Sequence, residues 1–262
     1  MELTDVLLAV PFGIVIGLIV GAVGGGGAIL ALPVLVYILD EGVGRASTAS
    51  LIVVAVAAGV GAGALARRGH VCWRLALTFS GPAALGSLVG TVGSGAVGAK
   101  TLILAFVPVM AVAAGATWQR AGQSHDPEEG ECPPAPPGRT VAAGAGVGAL
   151  TGFFGVGGGF LIVPALTLWL GLTFRRAVAT SLVIITLTGL VALAGHLVAG
   201  AKINAGVTAS LAVSTGVGAL LGASLGQRLP QSVLGKAFAA VVAGVAIFLL
   251  VDTLFFGGPP QQ

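Results

Sequence analysis

The sequence predicts an all-α integral membrane protein built from two related halves. Only 8% of the residues are charged and 56% are hydrophobic, with a mean hydropathy of +1.06, whereas a soluble domain carries about 25% charged residues. The charged residues also leave a series of long uncharged runs, as membrane-spanning helices require. A glycine-rich motif inside the first of these runs occurs again 131 residues later.

The repeated motif is a glycine cluster closed by a proline. Its first copy reads GAVGGGGAILALP over residues 21–33, and its second reads GFFGVGGGFLIVP over residues 152–164. Arg45 and Arg176, which follow the two copies, stand at the same offset. Because the match stays in register beyond the motif itself, it indicates a tandem duplication.

The uncharged runs give the order of the elements. They are 6–39, 46–66, 75–99 and 101–119, then 140–174, 177–201, 203–227 and 237–251. In each half the first run is the longest, and the next three have roughly the length of a single span, about 20 residues. We therefore predict an N-terminal transmembrane repeat over residues 1–119 and a C-terminal transmembrane repeat over residues 140–262.

The first run of each half is too long for one crossing and too short for two. A helix over residues 6–39 would measure about 51 Å at 1.5 Å per residue, against a hydrocarbon core of about 30 Å. We predict a broken, re-entrant hairpin in each half, with helical limbs at about 6–23 and 29–39, then 140–154 and 160–171. Pro33 and Pro164 should lie near the start of the second limbs, where a missing amide donor costs least.

Residues 120–139 differ from the rest of the chain because they are rich in proline and acidic residues and lack apolar periodicity. This composition predicts a flexible aqueous linker between the two repeats. Cys72 and Cys132 fall in different loops and have no metal-ligand spacing. The two cysteines therefore indicate neither a disulfide framework nor a zinc site.

The distribution of Lys and Arg predicts the orientation. The loop over residues 67–74 holds the densest cluster of arginines, so we place it in the cytoplasm. With three net crossings in each half, the linker, residues 175–176 and residues 228–236 face the same side. The halves then have inverted topology, each with a glycine-tipped hairpin and three transmembrane helices, as in many secondary transporters. A fourth crossing in each half would make the repeats parallel.

The glycine tips are candidate anion-binding elements. A helix that begins inside the membrane directs unsatisfied amide donors and a partial positive charge inward, and glycine lets the backbone approach a ligand closely. Two tips brought together by pseudo-symmetry would form an anion site near the bilayer midplane. Close packing between helices is the alternative interpretation of the same glycines.

Arg45 and Arg176 are also candidate site residues. Each stands just before a helix that we predict to begin near Ser47 or Val178. A cation at a helix N-terminus opposes the helix dipole, and a bound anion would remove this conflict. Anchoring at the membrane surface is the alternative role for both arginines.

Hydroxyl groups and one histidine complete the candidate residues. Ser50, Ser181, Thr48 and Thr180 lie on the helices that follow the arginines, where they can face a substrate or bond to their own helix. His196 is the only histidine inside an uncharged run, and it is a candidate proton carrier.

Acidic and basic side chains are missing from the interior of the predicted spans. This argues against a carboxylate proton relay, a metal permease and an intramembrane metalloprotease. We therefore expect no enzymatic activity, no metal and no cofactor. A small anion and the lipid bilayer are the expected partners, nucleic acid is not, and a homodimer is left open.

The two tips and the polar central loop resemble the sulfite exporter TauE/SafE family, also called the 4-toluene sulfonate uptake permease family, over about residues 6–256. The resemblance implies a transporter of sulfite, organosulfonates or related anions in a bacterial inner membrane. The motif positions that it carries over are Gly24, Gly25, Gly26, Gly27 and Pro33 with Gly155, Gly157, Gly158, Gly159 and Pro164. Val156 stands where the first tip has Gly25, so the halves need not contribute equally.

The combined expectation is a multi-pass transporter that exports a small sulfur-containing oxyanion. Export follows from charge, because an anion that leaves an inside-negative cell gains about 2.3 kcal/mol per charge per 100 mV. Two alternatives remain open. One is a non-transporting membrane scaffold or assembly subunit, and the other is a proton-coupled uptake permease for another small anion.

Overall fold

A computed structural model describes most of the chain. The described residues are 3–25, 30–31, 34–38, 43–94, 99–123, 132–134, 136–154, 159–198, 200 and 204–255. All regular secondary structure within these ranges is helical, which confirms the prediction of an all-α protein. Large apolar side chains such as Val92 and Val198 are 83% and 91% exposed, as expected where helices face lipid.

The two halves contain the same succession of elements. The first half has α1 (Leu3–Val23), a π-helical turn (Val34–Ile38), α2 (Val43–Ala66), α3 (Trp73–Ser94) and α4 (Ala99–Gln123). The second half has α5 (Pro137–Phe154), α6 (Gly159–Leu168), α7 (Phe174–Val198), α8 (Ala205–Gly226) and α9 (Gln231–Phe255). Within the described residues, α2, α3, α7, α8 and α9 are long and apolar enough to cross a membrane.

Two details of the helix boundaries differ from the sequence-based prediction. Helices α2 and α7 begin at Val43 and Phe174, about one turn earlier than predicted. The carbonyl of Thr173 accepts the amide of Ala177 at 2.9 Å, so the helical bonding of α7 begins before Arg176. Helix formation here extends through the basic residues that charge patterning had placed outside the helix.

Pro164 lies in the first part of α6, as predicted, but about one turn beyond the positions where a missing amide donor costs least. It is the sixth residue of α6 and is buried, as are nine of the ten residues of this helix. A proline at this position removes one helical hydrogen bond, the one to the carbonyl of Phe160. The helix continues past Pro164 because its apolar surface is buried on all sides. Pro33 lies outside the described residues.

The closest helix pairs join the two halves to each other. Helix α1 packs along α8, and its counterpart α5 packs along α3. A Cβ atom at Gly17 of α1 would collide with the carbonyl oxygen of Thr215, and one at Gly148 of α5 would collide with that of Ala83. Gly17 and Gly148 are equivalent positions at the offset of 131 residues. Each half therefore builds its tightest interface on a helix of the other half.

Helices α2 and α7, which are counterparts in the two halves, lie side by side in opposite directions. Gly59 approaches the Thr186 side chain, and Gly189 approaches Ala55, so residue numbers rise along one helix as they fall along the other. The start of α2 therefore lies at the end of α7. This arrangement puts Arg45 and Arg176 at opposite ends of the bundle.

The π-helical turn between α1 and α2 lies near the level of the first part of α1. Leu35 of the π-helical turn clusters with Ala9 of α1 and with Val53 of α2. Farther along the same pair of helices, a Cβ atom at Gly61 would lie 3.8 Å from the Cα atom of Gly21. Both α1 and α2 thus run the same way.

A disulfide bond marks one end of the bundle, which we call the disulfide end. It joins Cys72, just before α3, to Cys132 of the linker, with 5.8 Å between the Cα atoms. The prediction that these cysteines indicate no disulfide was wrong. The loop after α2 and the linker before α5 meet at the same end of the bundle, and a sequence separation of 60 residues conceals this proximity.

The starts of α7 and α9 lie together at one end of the bundle. The amide of Phe174 donates to Gln231 Oε1 at 3.1 Å, and Arg175 Nη2 donates to the carbonyl of Leu229 at 3.2 Å. Arg176 connects these elements to the disulfide end, because its Nη1 atom lies 3.4 Å from the sulfur of Cys132. The arginine-rich segments are therefore neighbours in space.

The interface between α1 and α8 predicts a large effect for a glycine substitution. In Gly17→Leu the added side chain would collide with the α8 backbone, so the helices must separate, and we expect a loss of at least about 2 kcal/mol of stability. The measurement is the midpoint of heat-induced loss of monodisperse protein in detergent. Gly63→Leu is the matched control, because no atom lies within 4 Å of a Cβ placed there. Equal midpoints for the two variants would contradict the packing argument.

Candidate functional site

The described part of the first glycine tip meets the start of α6 inside the bundle. A Cβ atom at Gly25 would collide with the carbonyl oxygen of Gly159, and one at Gly159 would lie 3.1 Å from the carbonyl oxygen of Gly25 and 3.1 Å from Ile185 Cδ1. Ile185 is the twelfth of the 25 residues of α7. The beginning of the first tip and the start of α6 therefore touch beside the middle of a helix long enough to span a membrane.

The backbone of the first tip has a conformation that favours glycine. Gly24 and Gly25 follow the last turn of α1 with φ angles of 78° and 138°, a region that side chains disfavour. The amide of Gly24 still donates to the carbonyl of Val20 at 2.8 Å. The helix thus ends by a sharp change of direction that brings bare backbone against Gly159.

Ser181 fixes the position of the first tip. Its hydroxyl group lies 2.7 Å from the carbonyl oxygen of Gly24 and 2.8 Å from that of Val178, and its side chain is completely buried. A Cβ atom at Gly24 would lie 2.8 Å from the Ser181 oxygen, so only glycine allows this contact. The hydroxyl proton is therefore directed to the protein backbone, and the serine positions the tip.

The equivalent serine of the first half has a different environment. Ser50 is half-buried and donates to the carbonyl of Ser47 in its own helix at 2.8 Å. Gly155, which would be the partner of Ser50 by the repeat offset, lies outside the described residues. Gly26, Gly27, Gly157 and Gly158 also lie outside them. In the part of the chain that the structure describes, only Ser181 is bonded to a tip.

Thr180 connects the tip region to the disulfide end. Its buried hydroxyl oxygen accepts the amide of Cys72 at 3.2 Å. Thr180 is the neighbour of Ser181, so consecutive residues of α7 hold the start of α3 and the tip after α1. A continuous set of contacts therefore runs from Cys132 through Cys72 and α7 to Gly24.

His196 and Thr48 lie together, away from the tips. The Thr48 hydroxyl oxygen is 3.0 Å from His196 Nδ1. His196 stands fifteen residues beyond Ser181 on α7, which corresponds to about 22 Å along a helix. The pair therefore belongs to the end of the bundle where α2 begins.

The two arginines of the repeated motif do not come together. Arg45 is exposed in the first turn of α2. Arg176 is half-buried in the first turn of α7, with Nη1 3.9 Å from the sulfur of Cys72. Each arginine therefore lies at a different end of the bundle, whereas the tips meet beside the middle of α7.

Aromatic rings pack the end of α5 and the start of α6 against α4. Phe106 of α4 lies 5.0 Å from Phe154, the last residue of α5, and 5.3 Å from Phe160 of α6, measured between ring centroids. Phe160 and Phe106 are almost completely buried. The sequence analysis did not single out these residues, although Phe154 and Phe160 flank the second glycine cluster and could have been noted for that reason.

The surroundings of the tips are uncharged. Among the described residues, the buried polar side chains are all serine or threonine. A ligand between the tips would therefore meet backbone amides, hydroxyl groups and apolar side chains. The first four amides of α6 have no acceptor within that helix, and Gly159 places the first of them beside the opposite tip.

Helices long and apolar enough to cross a membrane, packed around buried side chains that carry no charge in the described residues, define an integral membrane protein and suit a transporter. The chain belongs to the sulfite exporter TauE/SafE family, whose model matches residues 9–249. Family and relatives are transporters, not enzymes.

Two curated relatives are both called "Probable membrane transporter protein". One, from Xylella fastidiosa strain Temecula1, is 30% identical over 261 residues, which cover 95% of this chain and 97% of the relative. The other, from Xylella fastidiosa strain 9a5c, is 32% identical over 199 residues, which cover 73% and 74% of the two chains. No solved structure matches the chain.

The contrast between Ser181 and Ser50 predicts different effects for the same substitution. Ser181→Ala would leave the buried carbonyl of Gly24 without this donor, at a cost of about 1–3 kcal/mol, and would loosen the first tip. Ser50→Ala removes a bond within one helix and should cost little. Thermal stability in detergent and anion flux in proteoliposomes measure the two effects. Indistinguishable variants would show that Ser181 does not hold the tip.

Proposed function

We propose that this membrane transporter exports a small sulfur-containing oxyanion, sulfite or an organosulfonate, across a bacterial inner membrane. The anion would bind where the first glycine tip meets the start of α6. The observation that carries the proposal is the backbone contact between Gly25 and Gly159 beside the middle of α7.

Neutral donors suit an anion that must also leave. The first-turn amides of α6 and the positive end of its dipole attract negative charge. A buried arginine or lysine would hold a small oxyanion far more tightly, because charge-assisted hydrogen bonds are about twice as strong as neutral ones. A site built from backbone therefore combines selectivity for anions with release.

The arrangement of the helices supports an inverted repeat. The counterparts α2 and α7 run in opposite directions, and the pairs α1–α8 and α5–α3 exchange partners between the halves. In this architecture the substrate lies near the midplane between the repeats, and the two halves move against each other. The meeting of the tips beside Ile185 agrees with such a site.

The site residues have separate roles in this proposal. Gly25 and Gly159 approach the anion with their backbone, while Ser181 holds the first tip through the carbonyl of Gly24. Arg45 and Arg176, at the two ends of the bundle, raise the local anion concentration at the two entrances. Thr180 contributes through its bond to the Cys72 amide.

The membrane potential supplies the driving force for export. One negative charge that leaves an inside-negative cell gains about 2.3 kcal/mol per 100 mV, which corresponds to roughly a fifty-fold concentration ratio. The sequence has no acidic residue in 6–39, 42–125 or 132–251, so these segments lack the side chains that a carboxylate relay for coupled protons would use. A uniporter driven by the potential requires none.

The proposal predicts flux that follows the imposed voltage. Proteoliposomes loaded with labelled sulfite, or with an organosulfonate, should release it faster when a potassium gradient and valinomycin make their interior negative. The reverse polarity should slow the release, and no pH gradient should be needed. Empty liposomes and liposomes with Gly17→Leu protein serve as controls.

Two results would count against the proposal in different ways. Flux that ignores voltage and follows an imposed proton gradient would replace export with coupled uptake, and the His196–Thr48 pair would then be the place to seek the proton. No flux of either anion, together with no stabilisation of the purified protein by them, would favour the non-transporting scaffold.

A further inference from the structure

The two cysteines of the Cys72–Cys132 disulfide differ in their exposure to solvent. The sulfur of Cys132 belongs to an exposed linker residue, whereas Cys72 is only 3% exposed. An incoming nucleophile can therefore reach one sulfur atom and not the other. Attack at the exposed sulfur makes the buried cysteine the leaving group.

The surroundings of Cys72 stabilise a departing thiolate. The carbonyl of Cys72 accepts the amide of Ala76 at 2.9 Å, so Cys72 occupies the N-terminal cap of α3, where the helix dipole favours negative charge. Arg176 Nη1 lies 3.9 Å from the Cys72 sulfur. Exchange is faster when the leaving thiolate is stabilised.

Arg176 is also placed to attract an anionic nucleophile toward Cys132. Its Nη1 atom is 3.4 Å from the Cys132 sulfur, so one guanidinium contacts both sulfur atoms of the bridge. A positive charge beside the attacked sulfur concentrates anionic nucleophiles there. Positive-inside counting assigns this arginine-rich end to the cytoplasm, where disulfides are seldom permanent and more often exchange.

We propose that the Cys72–Cys132 bridge is an exchange site for anionic sulfur nucleophiles, either a thiolate or sulfite. The sulfur of the nucleophile forms a new bond to Cys132 Sγ as the bond between the two cysteines breaks. The electron pair of that bond stays on Cys72 Sγ, which leaves as a thiolate. With sulfite dianion the product on Cys132 is an S-sulfonate, and no further oxidant or reductant is consumed.

Exchange at this site releases the linker from the loop before α3. Cys72 remains bonded through its amide to Thr180, next to Ser181 and the first tip. The freed thiolate and Arg176 then stand at the disulfide end of the transport path. The sulfite reaction rests on the proposed function, since sulfite is the proposed substrate, but the thiolate reaction does not.

The test is covalent modification of the purified full-length protein in detergent. Separate samples receive reduced glutathione, sulfite or buffer and are quenched with N-ethylmaleimide for peptide mass spectrometry. We expect glutathione or SO3 on the peptide that contains Cys132, and N-ethylmaleimide on the peptide that contains Cys72. Arg176→Gln should slow the reaction by about tenfold, because a unit charge about 4 Å from the reacting atoms is lost.

Arg228→Gln is the matched control, since it removes an exposed arginine with the same change in net charge and should leave the rate unchanged. If Arg176→Gln does not fold, the rate of the unmodified protein should still fall as ionic strength rises. Reaction with only one of the nucleophiles supports the proposal and identifies the source.

Modification of Cys72 in place of Cys132, equal rates in the two arginine variants, or no reaction with either nucleophile would overturn the proposal. Exchange without anion flux would leave this proposal standing and reject the proposed function. Flux without exchange would do the reverse, because the covalent product is measured without any membrane gradient.

Discussion

The fold depends on the direct approach of helix backbones between the two halves. Gly17 lets the backbone of α1 lie against the carbonyl of Thr215 in α8, and Gly148 lets the backbone of α5 lie against the carbonyl of Ala83 in α3. A larger side chain at either glycine would force the two helices apart. Lipid offers little hydrophobic drive for helices to associate, so close van der Waals packing must supply it. Since each pair joins one half to the other, neither half can form its tightest interface alone.

The same constraint creates the centre of the molecule. Helices that cross between the halves carry the tip after α1 to the start of α6, so Gly25 and Gly159 meet beside Ile185. Ser181 then fixes the tip through the carbonyl of Gly24. At this junction the backbones of Gly25 and Gly159 lie against each other with no side chain between them. Backbone amides are therefore the hydrogen-bond donors there, and no charged side chain is needed.

The disulfide bond at the disulfide end is a feature that the sequence repeat does not duplicate. Cys72 and Cys132 have no cysteine counterparts at the offset of 131 residues, where the chain has Ile203 and Met1. Thr180 and Ser181 link this end to the first tip through adjacent residues of α7. The two halves thus share one packing scheme, but the covalent bridge between Cys72 and the linker belongs to one end of the bundle.

The sequence by itself determined the membrane class, the duplicated order of elements and the end of α1 at Val23, because these follow from local composition and from a match between distant glycine motifs. It also placed Ser181 on the helix that follows Arg176. Only the tertiary structure decided that Arg45 and Arg176 lie at opposite ends and that Cys72 pairs with Cys132. It also decided that Gly25 meets Gly159, which is not its counterpart at the repeat offset. Those outcomes depend on how antiparallel helices are placed in space, and no local periodicity records that placement.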